Sequence, residues 1–123
     1  MSITTQSNQT PVPVSRTWVL RRTSGGLKAE GNAKGLQVGE AALFAFDFSH
    51  DLPHGATIST ITTLALESGT NATLDSDQQG IDRSSVKVHV TAVSVGTVRI
   101  RCKVSYSDGS AVEGDGALTI VAA

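Results

Sequence analysis

A single cysteine, Cys102, stands among the 123 residues, so no disulfide forms within the chain and a disulfide-stapled secreted mini-domain is excluded. Charge is scarce too, with Asp, Glu, Lys and Arg making up 17% of the chain and nearly cancelling to −1. An average globular domain carries roughly 25%, and so small a net charge gives no overall field to hold nucleic acid or an anionic membrane. No run approaches the roughly 18 apolar residues of a membrane span. The opening MSITTQSNQTPVPV lacks the basic start and apolar stretch of a signal peptide, so synthesis in the cytoplasm is the expectation.

Catalytic and metal-binding patterns are equally thin. No G-x-S-x-G, Walker-type loop or H-E-x-x-H occurs. His50 and His54 have helical ligand spacing, but Pro53 between them breaks the helix that would bring both rings to one ion. His89 falls on the solvent face of a strand, and Cys102 alternates with inward valines as a small hydrophobe. Asp75-Ser76-Asp77-Gln78-Gln79-Gly80 matches the first half of a calcium loop, yet its twelfth position is Val86 where a bidentate Glu is required. The reading is a protein with no catalytic site, cofactor or metal.

What the sequence does contain is two-residue alternation. Phe44, Phe46 and Phe48, all the phenylalanines of the chain, fall on one face of one strand. Ala56 to Leu66 reads as a second strand, bent at Ile61-Thr62-Thr63, and the polar stretch Glu67 to Ser85 as a loop or irregular edge. Val86, Val88, Val90 and Ala92 then oppose Lys87, His89 and Thr91. In the next run Val98, Ile100, Cys102, Val104 and Tyr106 oppose Arg99, Arg101, Lys103 and Ser105, predicting a half-buried antiparallel strand with a basic stripe on its solvent face. Asp108-Gly109 marks a hairpin turn, after which Leu118 and Ile120 face inward. Short strands at this spacing, without amphipathic helices, make an all-β sandwich.

The division falls near residue 40. Residues 1–40 read as an extended N-terminal arm: polar up to Ser15 apart from Pro11-Val12-Pro13-Val14, with possible short strands at Thr17–Arg22 and Leu36–Val38 and glycines at 31, 35 and 39. Residues 41–123 read as the sandwich. The arm holds five basic and two acidic residues and the body five and nine, so the two parts are oppositely charged. Arg16, Trp18, Arg21 and Arg22 of the arm, with Arg99, Arg101 and Lys103 of the stripe, are the candidate partner-binding residues. The stripe has no interleaved aromatics to stack bases, which argues against specific nucleic-acid binding.

Phe46-Asp47-Phe48-Ser49-His50-Asp51-Leu52, Gly55-Ala56-Thr57-Ile58-Ser59, Gly96 to Val104, Ser107-Asp108-Gly109 and Leu118 to Val121 together resemble bacteriophage virion proteins with immunoglobulin-like folds. Those described as fibre–tail adaptors and head decoration proteins are among them. The resemblance covers about residues 44–121 and implies an immunoglobulin-like antiparallel β-sandwich. It also implies a non-enzymatic role in the virion, with many symmetric copies docked onto capsid or neck/tail proteins. The first forty residues are longer than the bare module calls for. The alternative is an immunoglobulin-like module that attaches a particle to cell-surface sugar, for which Trp18 is the one exposed aromatic candidate outside the Phe strand.

Overall fold

The computed structural model describes residues 7–30 and 34–123. Its strands are β1 (Thr17–Thr23), β2 (Gly26–Ala29), β3 (Lys34–Gln37), β4 (Ala41–Asp47), β5 (Ile58–Ser68), β6 (Ala72–Asp82), β7 (Ser85–Ala92), β8 (Gly96–Tyr106) and β9 (Ala111–Val121). The order β2-β1-β4-β7-β6 makes one sheet and β3-β9-β8-β5 the other. A single 3-10 turn, Val14–Arg16, is the one helical feature among the described residues, and no helix among them is long and apolar enough to cross a membrane.

The alternating patterns place the core between the sheets. Phe44, Phe46 and Phe48 are fully buried, facing Val98, Ile100, Cys102 and Val104 of β8 and Leu118 and Ile120 of β9. Trp18 stacks on Phe44 and Phe46 at centroid distances of 5.1 and 4.7 Å, and its Nε1 donates to the Ala117 carbonyl of the opposite sheet at 3.1 Å. Two glycines make this possible. A Cβ at Gly116 would overlap the Trp18 indole, and one at Gly114 would lie 2.7 Å from Leu20 Cδ1, so β9 offers bare backbone where β1 inserts its large side chains. Burying Leu20 in this way contributes roughly 2 kcal/mol.

Several expectations are corrected. The segment read as a loop or irregular edge from Glu67 to Ser85 contains β6, the edge strand of its sheet, which pairs with β7 except across a register shift between Asp75 and Gly80, so it is the irregular-edge alternative that holds. The sheets are mixed, since β1 runs parallel to β4 and β3 parallel to β9. Both parallel pairs come from the first forty residues, where β1 to β3 lie within the sheets and, among the described residues, only 7–13 is an extended segment. Residues 1–6 and Gly31 lie outside the described residues. The expected bend in β5 is present as a register shift between Ile61 and Thr63.

Lys87 is the other correction. Expected on a solvent face, it is 4% exposed, because the extended segment lies over it as a strap. The registers align Gly80, Lys87, Ala45 and Thr17 in one row across β6, β7, β4 and β1. Asn8 sits directly over Gly80 and donates its N–H to the Ile81 carbonyl at 3.2 Å, and the Pro13 carbonyl accepts from Thr17 Oγ1 at 3.0 Å at the other end. Crossing from β6 to β1 takes about 14 Å at the usual strand spacing, and five residues of polyproline-like chain cover about 16 Å. The small residues in the row form the groove that this strap fills.

Candidate docking surfaces

The structure separates the seven residues read from the sequence as partner-binding. Trp18 is 1% exposed and belongs to the core. Arg16 donates from Nε to the Leu43 carbonyl at 3.0 Å, and Arg21 pairs with Glu30. Arg99 lies 3.3 Å from Asp115, and Arg101 lies 3.3 Å from Glu113. The basic stripe of β8 is therefore answered by acids on the neighbouring β9, and among the described residues only Lys103 of the three forms no ion pair. The signal was present in the sequence: a hairpin about Asp108-Gly109 puts Glu113 opposite Lys103 and Asp115 opposite Arg101, one step along the strand from the arginines with which they pair.

Arg22 holds Asp51 with two hydrogen bonds, Nε to Oδ1 at 2.9 Å and Nη2 to Oδ2 at 3.0 Å, while the Tyr106 hydroxyl donates to Oδ2 at 2.7 Å. The triad ties β1 and β8 to the loop after β4. The Arg22 guanidinium foremost, then the Tyr106 hydroxyl, hold the Asp51 carboxyl below its usual range against the opposing effect of partial burial. With the folded value depressed, the unfolded chain takes up the proton first as pH falls. The stabilisation is complete above about pH 5 and drains away as pH drops below about 4. Asp51→Asn is expected to cost about 1 kcal/mol at neutral pH and to flatten the fall in melting temperature between about pH 5 and 3. Equal acid slopes in the two proteins would remove Asp51 as a source of that fall.

A cluster that the sequence reading missed lies at one pole of the sandwich. Val93, Val95 and Val121 are 51%, 60% and 49% exposed. Gly96 is paired with Ile120, which brings the start of β8 beside the end of β9, and the half-buried Val38 donates its N–H to the Val121 carbonyl at 3.0 Å. The β7–β8 loop and the end of β9 thus supply three exposed valines, while Val38, in the turn after β3, packs against the core. Asn71 fixes the loop: its carbonyl accepts from Val93 N–H at 2.8 Å and Ser94 N–H at 3.1 Å, and its Nδ2 donates to Ser94 Oγ and the Val95 carbonyl, both at 2.9 Å. Valines on a loop held this firmly lose little freedom when covered. Isolated valines in three separate segments gave no periodic signal that could have found it.

Other sites carry less chemistry. An open pocket of about 290 Å³ beside the strap is lined by Val12, Ala45, Asp47, Ser85 and Lys87 among others. It lies at the lower end of small-molecule sites, and its lining has no aromatic ring for a sugar to stack on. Lys87 Nζ donates to Ser85 Oγ at 3.1 Å and lies 3.7 Å from Asp82. Among the described residues no group of three or more His, Cys, Asp or Glu is placed to hold a metal ion. His89 Nδ1 is 3.9 Å from Asp75 Oδ2, and Asp75 caps its own loop by accepting the Asp77 N–H at 2.9 Å.

Cys102 is fully buried, and burial pushes its thiol up, so the reactive thiolate is scarce. A thiol reagent is expected to leave the native protein unlabelled over a time in which the urea-unfolded chain labels completely. Rapid labelling without denaturant would show that β8 opens locally.

No family model, curated protein or solved structure matches the chain.

Proposed function

We propose that this chain is a non-enzymatic structural protein that docks through its valine pole onto the apolar surface of a neighbouring subunit. Its setting is a bacteriophage virion, where it serves as a decoration or adaptor component in many symmetric copies on capsid or neck/tail proteins. The observation that carries the docking reading is the exposed set Val93, Val95 and Val121, the first two on a loop held by Asn71 and the third at the end of β9. The virion setting rests on the sequence resemblance of Phe46–Leu52 and Gly96–Val104.

The finer fold reading is immunoglobulin-like, supported by strand order. Such sandwiches place their second, fifth and fourth strands in one sheet and their third, sixth and seventh in the other. Here β4, β7 and β6 fall in the first set and β5, β8 and β9 in the second, with β1 and β2 added at the β4 edge.

Quantitative mass spectrometry of phage particles purified from cells that produce the chain tests the function. The account expects the chain at tens of copies or more per shell, or a small symmetric number at a neck or tail, retained through density-gradient purification. Its absence from particles while abundant in the lysate would overturn the virion reading.

A further inference from the structure

We propose that residues 7–13 are an exchangeable strap, so that in the assembly the strap of one copy seats in the outer-face groove of a second copy. The inference rests on the multi-copy reading above and deepens it by naming the second partner as another copy of this chain.

The strap touches its groove at two points. Asn8 and Val12 are half-buried, whereas Ser7, Gln9, Thr10, Pro11 and Pro13 are exposed. Asn8 supplies the specific contact, since its N–H reaches the Ile81 carbonyl, its Nδ2 reaches the Gln78 carbonyl at 2.9 Å, and Gly80 leaves room beneath it. Val12 forms one wall of the open pocket that Ala45 and Lys87 also line. These partners lie at the open edge of β6, where Ser7 bridges Ile81 in parallel, and on the adjoining outer face of the sheet, so a strap arriving from a second copy would meet the same atoms.

The joint between strap and body is local and separable. It is the 3-10 turn Val14–Arg16, closed by the Arg16 N–H and the Thr17 hydroxyl, both donating to the Pro13 carbonyl. Val14 on this turn is 80% exposed, the most exposed large hydrophobic side chain described, so the closed turn leaves an apolar group in water. Opening the turn loses these few bonds and frees Val14 to be covered. Pro11 and Pro13 keep the released strap extended, which lowers the ordering cost of reseating it. Because closed and exchanged forms share the same contacts, the balance is set by the local concentration of neighbouring copies, which a symmetric assembly makes high. The occupant is this chain's own strap because the groove's distinguishing feature, bare Gly80, is matched to Asn8.

Two full-length variants isolate the exchange. Asn8→Tyr has a strap too large for the space over Gly80 but keeps an open groove, whereas Gly80→Val keeps the strap and closes the groove. Mixed at high concentration, they are expected to form a one-to-one heterodimer by native mass spectrometry, while each alone stays monomeric. Should either variant fail to fold, an equal mixture of isotope-labelled and unlabelled wild-type protein gives the same answer through intermolecular contacts between Asn8 and Gly80 or Ile81 in filtered NMR spectra. Absence of heterodimer from two folded variants, or of intermolecular contacts at millimolar wild-type concentration, would overturn the exchange. If exchange fails while the chain is still found in particles, only the strap inference falls. If the chain is missing from particles, the docking function falls whatever the mixture shows.

Discussion

Gly116→Val is expected to lower the stability of the domain by about 3 kcal/mol, the upper part of the range for over-packing a core. The added side chain would meet the Trp18 indole, which has nowhere to go. Trp18 is stacked on two phenylalanines and tied by its Nε1 to the neighbouring Ala117 carbonyl. The backbone is held too, since Gly116 is paired to Ile100 of β8 and β9 is paired to β3 from Leu118 onward. In a domain of this size the loss corresponds to a fall in melting temperature of roughly 10 °C, read by the fluorescence of the single tryptophan. Gly114→Ala should cost less, because the atom it meets is the end of a flexible Leu20 side chain. Combining Gly116→Val with Trp18→Ala should be less damaging than the sum of the two single changes, because the tryptophan vacates the space the valine needs. Strict additivity would show that the two residues are not in contact.

Ile100→Asp is expected to unfold the protein at ambient temperature. Ile100 is fully buried, in register between Leu66 of β5 and Gly116 of β9, with no cation among the described residues of the core cluster to pair with a new carboxylate. Burying that group costs several kcal/mol, a large part of the 5 to roughly 15 kcal/mol that holds an ordinary domain together. Arg101→Ser, one position along, removes an exposed ion pair with Glu113 and should change stability by only about 0.5 kcal/mol. Circular dichroism and urea unfolding of the two variants would separate these outcomes. A folded Ile100→Asp protein would mean that β8 is turned the other way.

The body strands were legible because their burial follows a period of two. Phe44, Phe46, Val86 to Val90 and Val98 to Tyr106 announce their inward face residue by residue, and Asp108-Gly109 fixes where the last hairpin turns. β6 was legible only as a loop or irregular edge, since the pairing with β7 skips from Asp75 to Gly80 and the residues between them are polar. The burial of Lys87 depends on a strap eighty residues earlier in the chain, and the room for Trp18 depends on Gly116, nearly a hundred residues later. Such long-range complementarity leaves no local mark. The docking surface divides in the same way. The basic stripe was visible, but its worth depended on what stood opposite. The valine pole is assembled from separate loops and became visible only when the fold brought them together.

The central claim is that docking runs through the valine pole and not through the basic stripe. The direct measurement compares retention on purified particles of two folded variants: Val93→Ser with Val95→Ser and Val121→Ser, and Arg99→Ser with Arg101→Ser and Lys103→Ser. The account predicts at least a tenfold loss for the valine variant, near-wild-type retention for the stripe variant, and wild-type attachment that changes little as salt rises. Full retention of the valine variant, with loss of the stripe variant and attachment that weakens in salt, would contradict it.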